Sequence, residues 1–189
     1  MTRPTRPARG PTDPTRRDRI ADAALAIVLE EGVGAVSHRA VAERSGVPLG
    51  STTYHFRSLD DLLITAIRRA TAQYAEDLAR WSAAIPAGDA ALVEAICDHV
   101  EEALGPERQR TRAAYDLYFA ALHRPALLRP AREWAALTSS VLARHTSGDA
   151  ARALTVVLDG VLIQALLEDS PMPREELAGV VRAVLGSLP

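Results

Sequence analysis

Apolar residues recur at intervals of three and four from about residue 15 to the end of the chain, the spacing of helices that each bury one face. A first helix is expected to open with Thr15 as N-cap and Asp18 three residues later, an approximate capping box. It carries Ile20, Ala24, Ile27 and Val28 on one face and ends at Gly32 and Gly34. Ser37 caps a second helix bearing Ala40, Val41 and Arg44, which runs to Ser45-Gly46. Pro48 fits the first turn of a third, only about two turns long, that closes near His55-Phe56. Ser58 with Asp61 opens a fourth, whose stripe of Leu59, Leu62, Leu63, Ala66, Ile67, Ala70, Tyr74, Leu78 and Trp81 lasts about six turns. A helix of that length can join two subdomains rigidly.

Pro86-Ala87-Gly88 breaks the pattern, and Asp89 is expected to cap a fifth helix through Leu92, Val93, Ile96, Val100 and Leu104, closed by Gly105-Pro106. A sixth should turn Ala114, Tyr115, Tyr118, Phe119 and Leu122 inward. Pro125 and Pro130 bracket a short helical turn, and a seventh helix with Trp134, Leu137, Thr138, Val141 and Leu142 runs to about His145. The eighth starts at Gly148-Asp149 and is apolar around most of its circumference from Leu154 to Leu167, so it needs burial on two sides. After Pro171 and Pro173, a ninth carries Leu177, Val180, Val181, Val184, Leu185 and Leu188. The fold class is all-α, with a small three-helix head on a larger helical body and about nine helices in total. No repeat of 20–50 residues is visible, which argues against a solenoid.

Composition sharpens this picture in three places. Nearly half of the 189 residues are apolar and few are aromatic, enough for a sizeable helical core. The net charge of -2 divides unevenly: residues 1–57 hold 9 Arg against 6 acids, the remainder 13 Arg against 18 acids. A basic head would approach phosphates while an acidic body is held away. All 22 basic residues are Arg, a pattern that fits a GC-rich coding bias. One cysteine, Cys97, excludes an internal disulfide, no apolar run reaches membrane-spanning length, and the N-terminus lacks a signal-peptide core. A cytoplasmic protein without membrane contact is the expectation. Residues 1–14, rich in Thr, Pro and Gly with Arg3, Arg6 and Arg9, read as a disordered tail, with a DNA-contacting arm as the functional alternative.

The stretch from Ser37 to Phe56 has the parts of a helix-turn-helix: a bracing helix, a sharp turn at Gly46 and a thin second helix. Ala40, Val41 and Val47 supply the seam between them. The second helix presents Leu49, Gly50, Ser51, Thr52, Thr53, Tyr54 and His55, small or hydroxyl-bearing residues that permit close approach to DNA. Tyr54 and His55 can donate to phosphate oxygens. Ser37 and Arg39 sit at a helix N-terminus, where an anion is favoured. A helical hairpin with a polar outer face would present similar residues.

Across residues 16–67 the chain resembles the N-terminal domain of the tetracycline-repressor (TetR) family of bacterial regulators. The likeness lies in RIADAALAIVLEEG, SHRAVAERSGV, PLGSTTYHF and SLDDLL. It implies that Ser37, Arg39, Pro48, Leu49, Gly50, Ser51, Thr53, Tyr54 and His55 face a double-stranded, pseudo-palindromic operator. The family often has Tyr where Thr53 stands and Lys where Leu59 stands, so Arg57 is expected to replace a phosphate contact. Beyond the tail that composition predicts over 1–14, the resemblance implies a DNA-binding domain over 15–57 and a ligand-binding and dimerisation domain over 58–189. The last two helices would then form a homodimer interface, for which Val156, Gly160, Ile163, Leu167, Val181 and Val184 are candidates. Gly160 in a helix interior fits a close helix crossing.

A small-molecule effector would bind among helices four to eight. The polar or aromatic residues near apolar faces there are Trp81, His99, Tyr115, Tyr118, Phe119, His123, Trp134 and Gln164. Each taken alone fits a core or surface position as well; together they describe an apolar, aromatic-friendly cavity. Cys97, Asp98 and His99 are consecutive and cannot converge on one ion, so no metal and no cofactor is expected. No nucleophile elbow, phosphate loop or paired catalytic carboxylates are present. The expected function is a ligand-responsive transcriptional regulator, most simply a repressor. An activator or ligand-independent regulator of the same fold, or a helical carrier or enzyme that never touches DNA, are the alternatives.

Overall fold

In the computed structural model, residues 15–168 and 170–188 are described. The tail expected over 1–14 lies outside the described residues. Among those described there are nine α-helices and no strand: α1 Arg16–Glu31, α2 His38–Ser45, α3 Leu49–His55, α4 Leu59–Ala84, α5 Asp89–Leu104, α6 Arg108–His123, α7 Leu128–Leu142, α8 Gly148–Glu168 and α9 Arg174–Ser187. Short 3-10 turns occupy Val33–Ala35 and Pro125–Leu127.

Local chemistry sets several of the boundaries. The Ser37 hydroxyl accepts from the Ala40 N–H at 3.1 Å, and Gly46, at φ 65°, reverses the chain out of α2 in a conformation costly for a Cβ-bearing residue. Ser58 and Asp61 form a full capping box at the start of α4: Asp61 N–H donates to the Ser58 hydroxyl at 3.1 Å, and Ser58 N–H to the Asp61 carboxylate at 3.2 Å. Other expectations need correction. Thr15 already has helical backbone angles and its side chain makes no cap hydrogen bond. Gly88 rather than Asp89 precedes α5, at φ 110°. Pro130 does not interrupt the chain but lies in the first turn of α7, where no intrahelical N–H is missed.

Two cores form. The first gathers Ile20, Ala24, Ile27 and Val28 of α1, Val41 of α2, Val47, Phe56, and Leu62, Leu63, Ala66 and Ile67 of α4. It continues into Ala113, Leu117 and Ala121 of α6 and Ala131 of α7, so packing runs across the head–body boundary expected at residue 57. The second gathers α5, α8, α9 and Tyr115. Each fully buried Ile or Leu stabilises the fold by about 1.5–3 kcal/mol.

Helix α6 lies between the two cores, and this changes which residues it buries. Ala113, Leu117 and Ala121 recur every four residues and let α6 approach α1 closely, whereas Phe119 and Leu122 are 41% and 68% exposed. The aromatic stripe expected to face inward is therefore rotated outward at its end. Helix α8, at 21 residues, is long and apolar enough by length and composition to cross a bilayer, against the sequence expectation. Its Leu154, Leu158 and Leu162 instead pack into the second core, and Asp159 interrupts its middle.

Candidate nucleic-acid interface and effector cavity

The turn between α2 and α3 is closed by the Val47 N–H donating to Ala42 O at 3.1 Å, with Val41 and Val47 buried beneath it. On α3, Leu49, Gly50, Thr53 and Tyr54 share an outward arc of roughly 140° at 3.6 residues per turn. All four are exposed, Tyr54 at 73%, and Ser51 and His55 flank them half-buried. A Cβ on Gly50 would meet nothing within 4 Å, so no packing inside the protein requires a glycine there. Pro48 precedes α3, exposed; Ser37, Arg39 and Arg57 are exposed beside the same arc in sequence. Neither the Arg39 nor the Arg57 guanidinium has a carboxylate partner among the described residues, whereas Arg44 is held by Glu30 and, at 3.7 Å, Glu31.

Thr52 is the correction in this helix. It is fully buried, and its hydroxyl donates to Leu49 O at 2.8 Å and to His38 O at 3.4 Å. It braces α3 on α2 instead of facing outward.

Below the head, a cavity of about 500 Å³ opens between α1, α4, α5, α6, α7 and α8. Of the eight residues singled out, Trp81, His99, Tyr115 and Trp134 line it. Tyr118 borders a space of only about 20 Å³ between α4, α6 and α7. Phe119, His123 and Gln164 line neither cavity and are exposed, because the helix rotations that bury Ala121 and Ala165 turn them outward. Sequence reasoning missed Tyr74, Asp77, Glu102, Thr138 and Asp159, all of which line the larger cavity. For Asp159 there was a signal: a carboxylate in the middle of an otherwise apolar helix.

The cavity wall is aromatic and ordered by polar contacts. Tyr74 and Thr138 hydroxyls are 3.0 Å apart, Trp81 Nε1–H donates to Ala95 O at 3.2 Å, and Tyr115 O–H donates to the Asp159 carboxylate at 2.9 Å. Trp134 lies 5.9 Å from the Tyr74 ring and edge-on to Tyr115 at 6.0 Å, while Trp81 and His99 are 5.4 Å apart. Burial pushes both tyrosines upward, Tyr115 further because the Asp159 charge opposes its ionisation. Burial lowers His99, which favours a neutral imidazole. Burial also raises Asp159, partly offset by the hydrogen bond from Tyr115. At the rim, Asp77 accepts from Arg80 and, at 3.2 Å, from Arg110, and Arg110 also reaches Glu107 at 2.9 Å.

Next to Tyr115 on α6, Asp116 points the other way. Its carboxylate accepts from the Val33 N–H at 2.6 Å, in the turn that leads from α1 to α2. At the end of the same helix Arg124 pairs with Asp60 of α4 at 2.8 Å. One helix thus touches the cavity, holds the head at Val33 and ends on an ion pair with the start of α4.

Cys97, Asp98 and His99 diverge as their positions on one helix require: Cys97 is buried, Asp98 bonds Arg174 at 2.8 Å, and His99 faces Trp81. On α8, Val156 and Leu167 are 72% and 80% exposed with Gly160 and Ile163 between them on the same stripe. No atom lies within 4 Å of a Cβ built on Gly160, so the glycine serves no close crossing within one chain. Val184 is half-buried. Val181 is fully buried in the second core and is not available to a second copy, because α9 turns Leu177, Ala178 and Val181 inward together.

Residues 20–66 match "Bacterial regulatory proteins, tetR family", and residues 87–187 match "Tetracyclin repressor-like, C-terminal domain". The chain is 26% identical to the HTH-type transcriptional regulator BetI of Escherichia coli O157:H7 over 168 residues, covering 84% of this chain and 86% of BetI. Among solved structures, the multidrug binding protein EbrR complexed with ethidium is 44% identical, with a TM-score of 0.79 over 90% of this chain and 98% of EbrR. The putative transcriptional regulator SCO7518 of Streptomyces coelicolor A3(2) is 30% identical, with a TM-score of 0.84 over 92% of this chain and 100% of that one.

Proposed function

The chain belongs to the tetracycline-repressor family of transcriptional regulators, and from that premise we propose that it is a ligand-responsive repressor released from its operator by a small aromatic molecule. In this reading residues 15–57 are the DNA-reading head and residues 58–189 the effector-binding and dimerisation body. Leu49, Gly50, Thr53 and Tyr54 enter the major groove, with Ser51 and His55 at its edges. Ser37, Arg39, Pro48 and Arg57 hold phosphates on either side.

The observation that carries the effector role is the cavity itself, of a size that takes a drug-like molecule and walled by α6, the helix that grips the head. Similar structures support it: EbrR has been solved with ethidium, with proflavin and with malachite green. A ligand that binds better to a body with α6 displaced would misplace the head.

The exposed stripe of Val156, Gly160, Ile163 and Leu167, continued by Val184 on α9, is proposed as the face that a second copy covers. Gly160 without internal neighbours and an α8 apolar on its outer side support this. Two heads on a two-fold axis would read half-sites about 34–36 Å apart, in the cytoplasm where the operator lies.

A gel shift against the DNA upstream of its own gene tests the function. A sequence-specific shift is expected that weakens by orders of magnitude, roughly 10³-fold or more, between 50 and 200 mM salt. Addition of a cavity ligand should abolish it. A protein that binds ligand but never shifts DNA would be a carrier or enzyme instead.

A further inference from the structure

Resting on the effector role proposed above, we propose that the cavity selects flat organic cations and that Asp159 is the anchor for their charge.

The charges that line the cavity do not balance. Four carboxylates line the cavity: Asp77, Glu102, Glu107 and Asp159. Two arginines line it as well, Arg80 and Arg110, and both are already engaged at the rim with Asp77 and Glu107. Burial lowers the proton affinity of His99 and so disfavours a positive charge there. That leaves Glu102, exposed on α5, and Asp159, half-buried on α8, with no basic partner among the described residues. Among the described residues, the hydrogen bond to the Asp159 carboxylate comes from a neutral phenol, Tyr115.

A carboxylate in that setting is poorly solvated, and its affinity for a proton is raised for the same reason. Each class of ligand meets it differently. An anion such as a fatty acid or a phosphate ester would add like charge next to it. A neutral ring system would displace its remaining water and return nothing. A cation would supply the missing countercharge, and the site would lose the penalty at the moment of binding.

The rings favour the same class. Tyr115 joins the anchor to Trp134, which in turn meets Tyr74, so an aromatic wall runs from the carboxylate. Ring faces attract cations, most strongly when water is excluded. A charge spread over a planar, fused-ring ligand can lie on that wall while remaining close to Asp159.

The test uses a pair of ligands that differ in charge and hardly in shape, N-methylphenanthridinium and phenanthridine. Both tryptophans of the chain, Trp81 and Trp134, line the cavity, so intrinsic fluorescence reports occupancy. The full chain should bind the cation at least tenfold more tightly than the neutral ring. Asp159→Asn should erase that preference by weakening the cation without weakening phenanthridine, and its melting temperature should not fall. Thr155→Lys, one turn earlier on the same cavity wall, should erase it too by supplying an internal cation, and it serves if Asp159→Asn does not fold. Equal affinity for the two ligands in the unaltered protein overturns the charge anchor and leaves the effector cavity standing. So does a preference that survives both substitutions. Absence of quenching by either ligand overturns the effector role itself, and the anchor with it.

Discussion

The contact between Asp116 and the Val33 N–H joins residues 83 positions apart and ties the cavity helix α6 to the turn that leaves α1. Asp116→Ala removes the acceptor and leaves a backbone N–H, on a residue only 9% exposed, without its partner. A hydrogen bond to a charged group contributes about 1.5–3 kcal/mol, and an orphaned buried donor costs a similar amount. Gly32, at φ 87°, precedes Val33, and a Cβ there would lie 3.0 Å from the same carboxylate oxygen, so the carboxylate packs closely on the turn. A loss near 2 kcal/mol is the expectation, or roughly 4–8 °C in melting temperature for a chain of this length. Urea unfolding and calorimetry at pH 7 measure both quantities. Asp116→Asn keeps a neutral oxygen acceptor and should lose about half as much. Because Asp116 adjoins Tyr115, Asp116→Asn should also need more effector to release DNA, with effector affinity for free protein nearly unchanged. An Asp116→Ala protein within about 0.5 kcal/mol of the original would refute the reasoning, since surface substitutions commonly fall inside that range.

Three further outcomes are expected. Tyr54→Phe and Arg57→Ala should each weaken operator binding, and Arg57→Ala, which removes a charge, should also flatten its salt dependence, with melting unchanged because both side chains are exposed; gel shifts at several salt concentrations read this. Val156→Asp should give monomers by analytical ultracentrifugation and keep its helical signal, whereas Val181→Asp, inside the core, should unfold the protein. Burial holds His99 below its ordinary value of 6.5, so the unfolded chain takes up a proton that the folded one resists. Stability should therefore fall as pH drops below about 6.5, and His99→Gln should remove that slope in melts between pH 7.5 and 5.

What could be read from residues alone is what neighbouring residues decide. Ser37 bonds three residues ahead, Ser58 and Asp61 cap each other, and Gly46 turns the chain by its own backbone freedom. These contacts span one turn, so a linear pattern contains them, and with them the head and the outward arc of α3. The all-round apolar character of α8 predicted burial on two sides; one side packs into the second core, while the outer side, with Val156 and Leu167, is exposed.

Tertiary structure decided the rest. Periodicity shows that a helix has an apolar face but not which neighbour claims it. On α6 the close approach of α1 selected Ala113, Leu117 and Ala121 over the larger Phe119 and Leu122. The rotation of α8 sent Asp159 into the cavity and left Gln164 outside, and that of α9 took Val181 into the core. The ties of Asp116 to Val33, of Tyr115 to Asp159 and of Arg174 to Glu94 join residues 44 to 83 positions apart. Such pairs meet only after both cores have assembled, because their geometry is set by helix packing and not by any local preference of the chain.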